Sequence, residues 1–265
     1  MGLFTDSTWE QFIPFFSFIG MFIIMSVIDY AYLQIGIDSK KVMRKKLFAA
    51  TPAGTAFSIW GLIFFGLTLF TLMNCFNEFA GTFDPLWISV TFLLMVGWGA
   101  TFALEWFFPS SLCLIASVLS CYQVILAIPK EHKFMDLGSG YTMGVFMGWL
   151  ITAALLNTFI FIQQRGLGGE ENEVANYFFI ILVFLSHVSI VLLIRWQTLQ
   201  MCWPITLVLL WSVHWVLWEK DGIANKDNTW MYLIGYVFAG LVLLTTILRA
   251  WLEKDFFDID VDIDI

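Results

Sequence analysis

The chain has 265 residues, a mean hydropathy of +0.82, 60% hydrophobic but only 13% charged residues, and a formal net charge of −8. Soluble domains carry roughly a quarter charged residues, so this composition excludes a water-soluble globular protein and, with it, a soluble nucleic-acid-binding module. Lipid is the solvent for most of its surface.

Cutting the chain at every Asp, Glu, Lys and Arg leaves eight long uncharged stretches: 11–28, 47–77, 85–104, 106–129, 137–164, 174–194, 196–218 and 228–248. A helix needs about 17–25 residues to cross the hydrocarbon core. Within it every backbone group must be paired internally, which leaves helices or a closed barrel. These runs are continuously apolar and lack the alternation of barrel strands. The expected fold is all-α, a polytopic membrane bundle of about eight transmembrane helices. Residues 1–252 form one transmembrane domain and 253–265 an acidic C-terminal tail.

The first span, roughly 11–35, contains Pro14 and the carboxylate Asp29. A membrane charge is a functional hypothesis by default. Asp29 lies late in its span, however, where pairing with Lys40 or a neighbour is the simpler reading. The segment before the first span is acidic and polar, unlike a signal or transit peptide. Loop 37–50 follows, with Lys40, Lys41, Arg44, Lys45 and Lys46. By the positive-inside tendency it faces the cytoplasm, or the matrix of a mitochondrion, and both termini lie opposite.

The second span, 53–76, opens with the run TPAGTAFSIWGLIF at 51–64. Pro52 suits a first helical turn, where its missing N–H removes no bond. The third span covers 86–106. Pro109 is expected to end it, with Ser110 or Ser111 capping the fourth, which stops near Pro129. The fifth span, 139–163, holds Gly140, Gly144 and Gly148 on one face, a helix-packing signal that fits an internal partner or another subunit. The sixth and seventh, 175–194 and 198–218, form a tight hairpin about Arg195, and the eighth covers 229–252. From Asp258 to Ile265, Asp and aliphatic residues alternate, so an extended tail has one acidic and one apolar edge.

The chain has 13 Trp and 28 Phe. Trp9, Trp230 and Trp251 stand at span ends, where the interfacial aromatic belt lies. Trp211, His214, Trp215 and Trp218 share one helical face, which reads as packing or as a ligand wall. His187 and His214 sit about 13 Å and 27 Å from the turn between their spans at 1.5 Å per residue. That mismatch in depth argues against a bis-histidine haem. Cys75, Cys113, Cys121 and Cys202 form no C-x-x-C pair and read as small buried apolar side chains. The chain has no P-loop, H-E-x-x-H or G-x-S-x-G motif and no ladder of membrane carboxylates, which argues against an enzyme and against a resident metal.

The run from Pro52 to Phe64 resembles the translocator-protein family, also called tryptophan-rich sensory proteins (TspO/MBR), in its longer bacterial-type branch. Trp98-x-x-x-Phe102, GWLITAALLN at 148–157 and VLLWSVHWVLWEK at 208–220 are similar to further family motifs in the same order. The resemblance covers roughly 50–220. It implies a helical membrane protein with an aromatic cavity for porphyrins, sterols or other lipids. Carried over, the cavity residues are Phe57, Trp60, Trp98, Phe102, Trp149 and Asn157. One departure is Met95, where the family commonly has Asn; this removes a polar handle.

Two functions follow from this reading. The leading one is a non-catalytic accessory subunit of a large membrane complex, such as a mitochondrial respiratory complex of the inner membrane. It would meet its neighbours through the Gly140, Gly144 and Gly148 face and the acidic tail 255–265. The alternative is a receptor or carrier for an apolar ligand such as a porphyrin or sterol.

Overall fold

The structure, a computed structural model of the chain, describes residues 9–37, 42, 54–76, 85–127, 140–165 and 199–218, with single positions within 178–189 and 237–244. Six helices are described: α1 (Ile13–Gln34), α2 (Ile59–Phe76), α3 (Pro85–Ala103), α4 (Phe107–Ala127), α5 (Tyr141–Gln164) and α6 (Leu199–Trp218). The first five are long and apolar enough to cross a membrane. The fold is therefore the expected all-α membrane bundle. The expected spans 175–194 and 229–252 fall mostly outside the described residues, as do the basic loop (apart from Val42), Lys40, His187 and the acidic tail.

The helix ends follow backbone chemistry. Before α1, Trp9–Phe12 is a 3-10 turn, and Pro14 then occupies the first turn of the helix. At its far end Gly36 adopts φ 81°, and the N–H groups of Gly36 and Ile37 bond the carbonyls of Leu33 and Tyr32. This pair of bonds satisfies carbonyls that the helix leaves open. The α3–α4 turn is built the same way, but with Glu105 at φ 58°. The expected break at Pro109 is thus corrected. α3 already ends at Ala103, and Pro109 stands inside the first turn of α4. A first-turn N–H has no intrahelical acceptor, so proline costs nothing there. Ser110 and Ser111 are buried residues of α4 rather than caps. α2 is preceded by a 3-10 turn, Gly54–Ser58, and Pro52 lies outside the described residues.

Around the bundle α2 packs on α1, α1 on α3, α3 on α4, α4 on α5, and α5 back on α2, while α6 lies against α5 and the 54–58 turn. α5 is the central helix. In its most apolar membrane-length window 67% of residues are buried, against 22% for α1, whose outer face carries Phe16, Ile23, Val27 and Leu33 to the lipid. Asp29 is also exposed on α1, so it lines no interior path. Hydroxyls are absorbed by the helices that carry them: Thr71, Ser117 and Ser212 each donate to the carbonyl four residues back. Others clasp neighbouring helices, as Ser17 and Ser89 do at 2.8 Å and Thr91 and Ser120 at 2.8 Å. In hydrocarbon such pairing removes the cost of an unsatisfied group.

Gly140, Gly144 and Gly148 are all buried within the chain. A Cβ placed on Gly148 would lie 3.0 Å from Cβ of Val208 and 3.3 Å from Cα of Ile205. At Gly148 the small face therefore admits α6 of the same chain.

Candidate functional site

Three helices supply the site. From the start of α2 and the turn before it come Trp60 and Phe57; from α3, Trp98 and Phe102; from α5, Trp149, Thr152, Ala153, Leu156, Asn157 and Ile160. All six residues expected from the sequence thus line one cavity. The α5 contributions recur at three- and four-residue spacing, which puts them on one face. That periodicity was available in the sequence and would have added Thr152, Ala153, Leu156 and Ile160.

The rings form a contiguous wall. Trp60 stacks on Trp98 with centroids 5.9 Å apart and planes 26° from parallel, and meets Trp149 edge-on at 6.2 Å. Phe57 meets Trp149 edge-on at 5.7 Å, and Phe102 lies 5.9 Å from Trp98. Offset and edge-on pairs are the arrangements the ring quadrupole favours. They leave a cavity of about 30 Å³, room for roughly two waters.

Its polarity is unusual for so apolar a place. The indole N–H groups of Trp98 and Trp149 are buried with no hydrogen-bond partner, and the residues themselves are 9% and 2% exposed. A buried donor without an acceptor costs about 1–3 kcal/mol. Asn157 is already engaged: its Nδ2 donates to Oγ of Ser110 at 2.7 Å, which clasps α5 to α4. Met95 is buried in α3 but does not line the cavity. The cavity lining contains no charged residue.

The aromatic face of α6 lies elsewhere. Trp211 donates its Nε1 proton to the carbonyl of Ala56 at 3.0 Å, tying α6 to the turn that carries Phe57. Trp215 packs edge-on against Trp211 at 5.6 Å and beside His214 at 5.4 Å. Neither Trp211 nor Trp215 lines the cavity, so this face serves packing; the Trp203 and Trp218 side chains lie outside the described ones. Trp211→Phe keeps the ring and removes the bond. It is expected to lower stability by about 1 kcal/mol, read as a lower melting temperature in detergent; an unchanged melt would show that the bond contributes nothing.

Cys75 and Cys121 are buried and Cys113 half-buried, all as free thiols. Among the described residues no cluster of three or more His, Cys, Asp or Glu is placed to hold a metal ion.

A family model described as TSPO-like protein matches residues 11–248. No curated protein and no solved structure matches the chain.

Proposed function

Because the chain belongs to the TSPO-like family, we propose that it is a non-catalytic membrane receptor or carrier for a neutral, apolar ligand bearing a hydrogen-bond acceptor. The observation that carries this reading is the pair of unpartnered indole donors, Trp98 and Trp149, in one aromatic cavity. An acceptor oxygen there would satisfy donors that the fold leaves open. Free porphyrins fit poorly. Their carboxylates would enter a site lined by no cation, and an unpaired buried charge is strongly disfavoured. A sterol, with one hydroxyl on an apolar body, suits the chemistry. Drug-sized ligands occupy roughly 300–1,000 Å³, so the rings must part to admit one.

The test is cholesterol binding to the full-length protein in nanodiscs. Trp98→Phe and Trp149→Phe keep the rings and delete the donors. Each is expected to weaken binding by about tenfold, the worth of one hydrogen bond near 1.4 kcal/mol. Equal affinity in both variants would remove the donors from the role, and no binding at all would remove the receptor.

One observation favours a second reading. The closed cavity of about 30 Å³ is close to a filled core, as suits a fold kept as a scaffold in a larger membrane assembly, such as a mitochondrial respiratory complex. Since Gly148 is used within the chain, the acidic tail 255–265 becomes the proposed partner contact. Deleting it is expected to lose stoichiometric neighbours after gentle extraction. A particle near 30.4 kDa or its dimer, unchanged by the deletion, would reject this reading.

A further inference from the structure

α1 carries none of the aromatic motifs, yet it reaches the cavity through a relay of rings. Phe22 meets Phe64 of α2 edge-on at 4.7 Å and 68°. Phe64 stacks on Trp60 at 5.2 Å and 24°, and Trp60 stacks on Trp98 across the cavity. Trp60 and Phe64 are four residues apart, neighbours on one helix face, so a push on one is felt by the other.

α1 is well placed to push. It lies in the seam between α2 and α3, which approach each other far less than either approaches α1. Along α3 it is anchored at successive levels. Ser17 bonds Ser89 at 2.8 Å, Phe18 packs on Phe92 at 5.3 Å, and the hydroxyl of Tyr32 donates to the carbonyl of Ala100 at 3.4 Å. Between them the methyl of Met25 occupies the space over Gly99, 3.0 Å from where a Cβ would stand. Anchored on α3, α1 presents Phe22 to α2.

We propose that Phe22 is a positioning residue for the cavity: through Phe64 it holds Trp60 on Trp98 and so sets the cavity's width. Shortening Phe22 removes the backing of Phe64 and lets the Trp60 wall relax toward α1. A wider resting cavity raises the fraction of protein competent to bind, and apparent affinity rises with that fraction. This last consequence rests on the receptor reading; the position of Trp60 does not.

The experiment uses full-length protein labelled with 5-fluorotryptophan, with fluorine resonances assigned by Trp60→Phe, Trp98→Phe and Trp211→Phe. Phe22→Ala is expected to shift and broaden the Trp60 resonance, and that of Trp98, while Trp211 stays in place. Phe16→Ala, an equal truncation on the lipid face where Phe16 is 66% exposed, should move none of them. Phe22→Leu keeps most of the bulk and should give a smaller shift in the same direction, which keeps the test intact if the alanine variant fails to fold. An unmoved Trp60 resonance in the folded Phe22 variants overturns the proposal. Cholesterol affinity is measured alongside, with a severalfold rise expected in Phe22→Ala. If Trp60 moves but no variant binds cholesterol, the positioning role stands and the receptor reading falls. If wild type binds cholesterol and Trp60 does not move, the receptor stands and Phe22 has no part in it.

Discussion

Trp149→Ala should cost the folded chain about 3 kcal/mol, the lower end for emptying a Trp- or Phe-sized site. Trp149 is 2% exposed and lies edge-on to both Phe57 and Trp60. The lower end applies because the unfolded helices remain in lipid. Hydrocarbon outside the bundle resembles hydrocarbon inside it, so little transfer energy is lost. What is lost is dispersion contact across the void, which rigid neighbours cannot refill. Trp149→Phe serves as the control. It leaves a smaller void and removes an N–H that has no partner in the fold, so its melting temperature should stay close to wild type. A melt of Trp149→Ala that overlays wild type would mean that the three helices collapse onto the space and that the cavity has no fixed wall.

Gly148→Leu should separate α6 from α5. Even the Cβ of alanine would stand 3.0 Å from Val208 Cβ and 3.3 Å from the backbone Cα of Ile205. A backbone atom cannot rotate away as a side-chain tip can. Overpacking of this kind costs about 1–3 kcal/mol, partly offset in Gly148→Ala by roughly 1 kcal/mol of helix propensity. Leucine adds bulk without comparable offset, so its melting temperature should fall further. Gly20→Ala is the matched control, since nothing lies within 4 Å of its new Cβ; it should be neutral or slightly stabilising. Combining Gly148→Ala with Val208→Ala should recover part of the loss, because the two share one contact. Strict additivity of the pair would place the strain elsewhere.

Much of the site was legible before any coordinates. The run from Pro52 to Phe64, the Trp98–Phe102 pair and the 148–157 segment each pointed to cavity residues, and all six converge. Asn157 was read correctly in place but its amide is engaged by Ser110, a pairing between helices 47 residues apart that no local pattern announces. The small face around Gly148 was visible as spacing; that its partner is α6 was not. Pro109 was misplaced by a few residues because proline suits a first turn as well as a helix stop. Phe22 left no signal at all, being one phenylalanine among 28.

By itself the sequence determined that the chain is a helical membrane bundle, and closely where its helices run. Those follow from one-dimensional constraints: the bilayer requires long uncharged segments with internally paired backbones. Only the tertiary structure decided which faces meet, that Trp98 and Trp149 keep unpartnered donors, and that α1 backs the cavity wall. In water a helix marks its buried face by polarity. In lipid both faces are apolar, so the choice between them rests on shape, small residues and a few hydrogen bonds, and these become visible only when the helices are brought together.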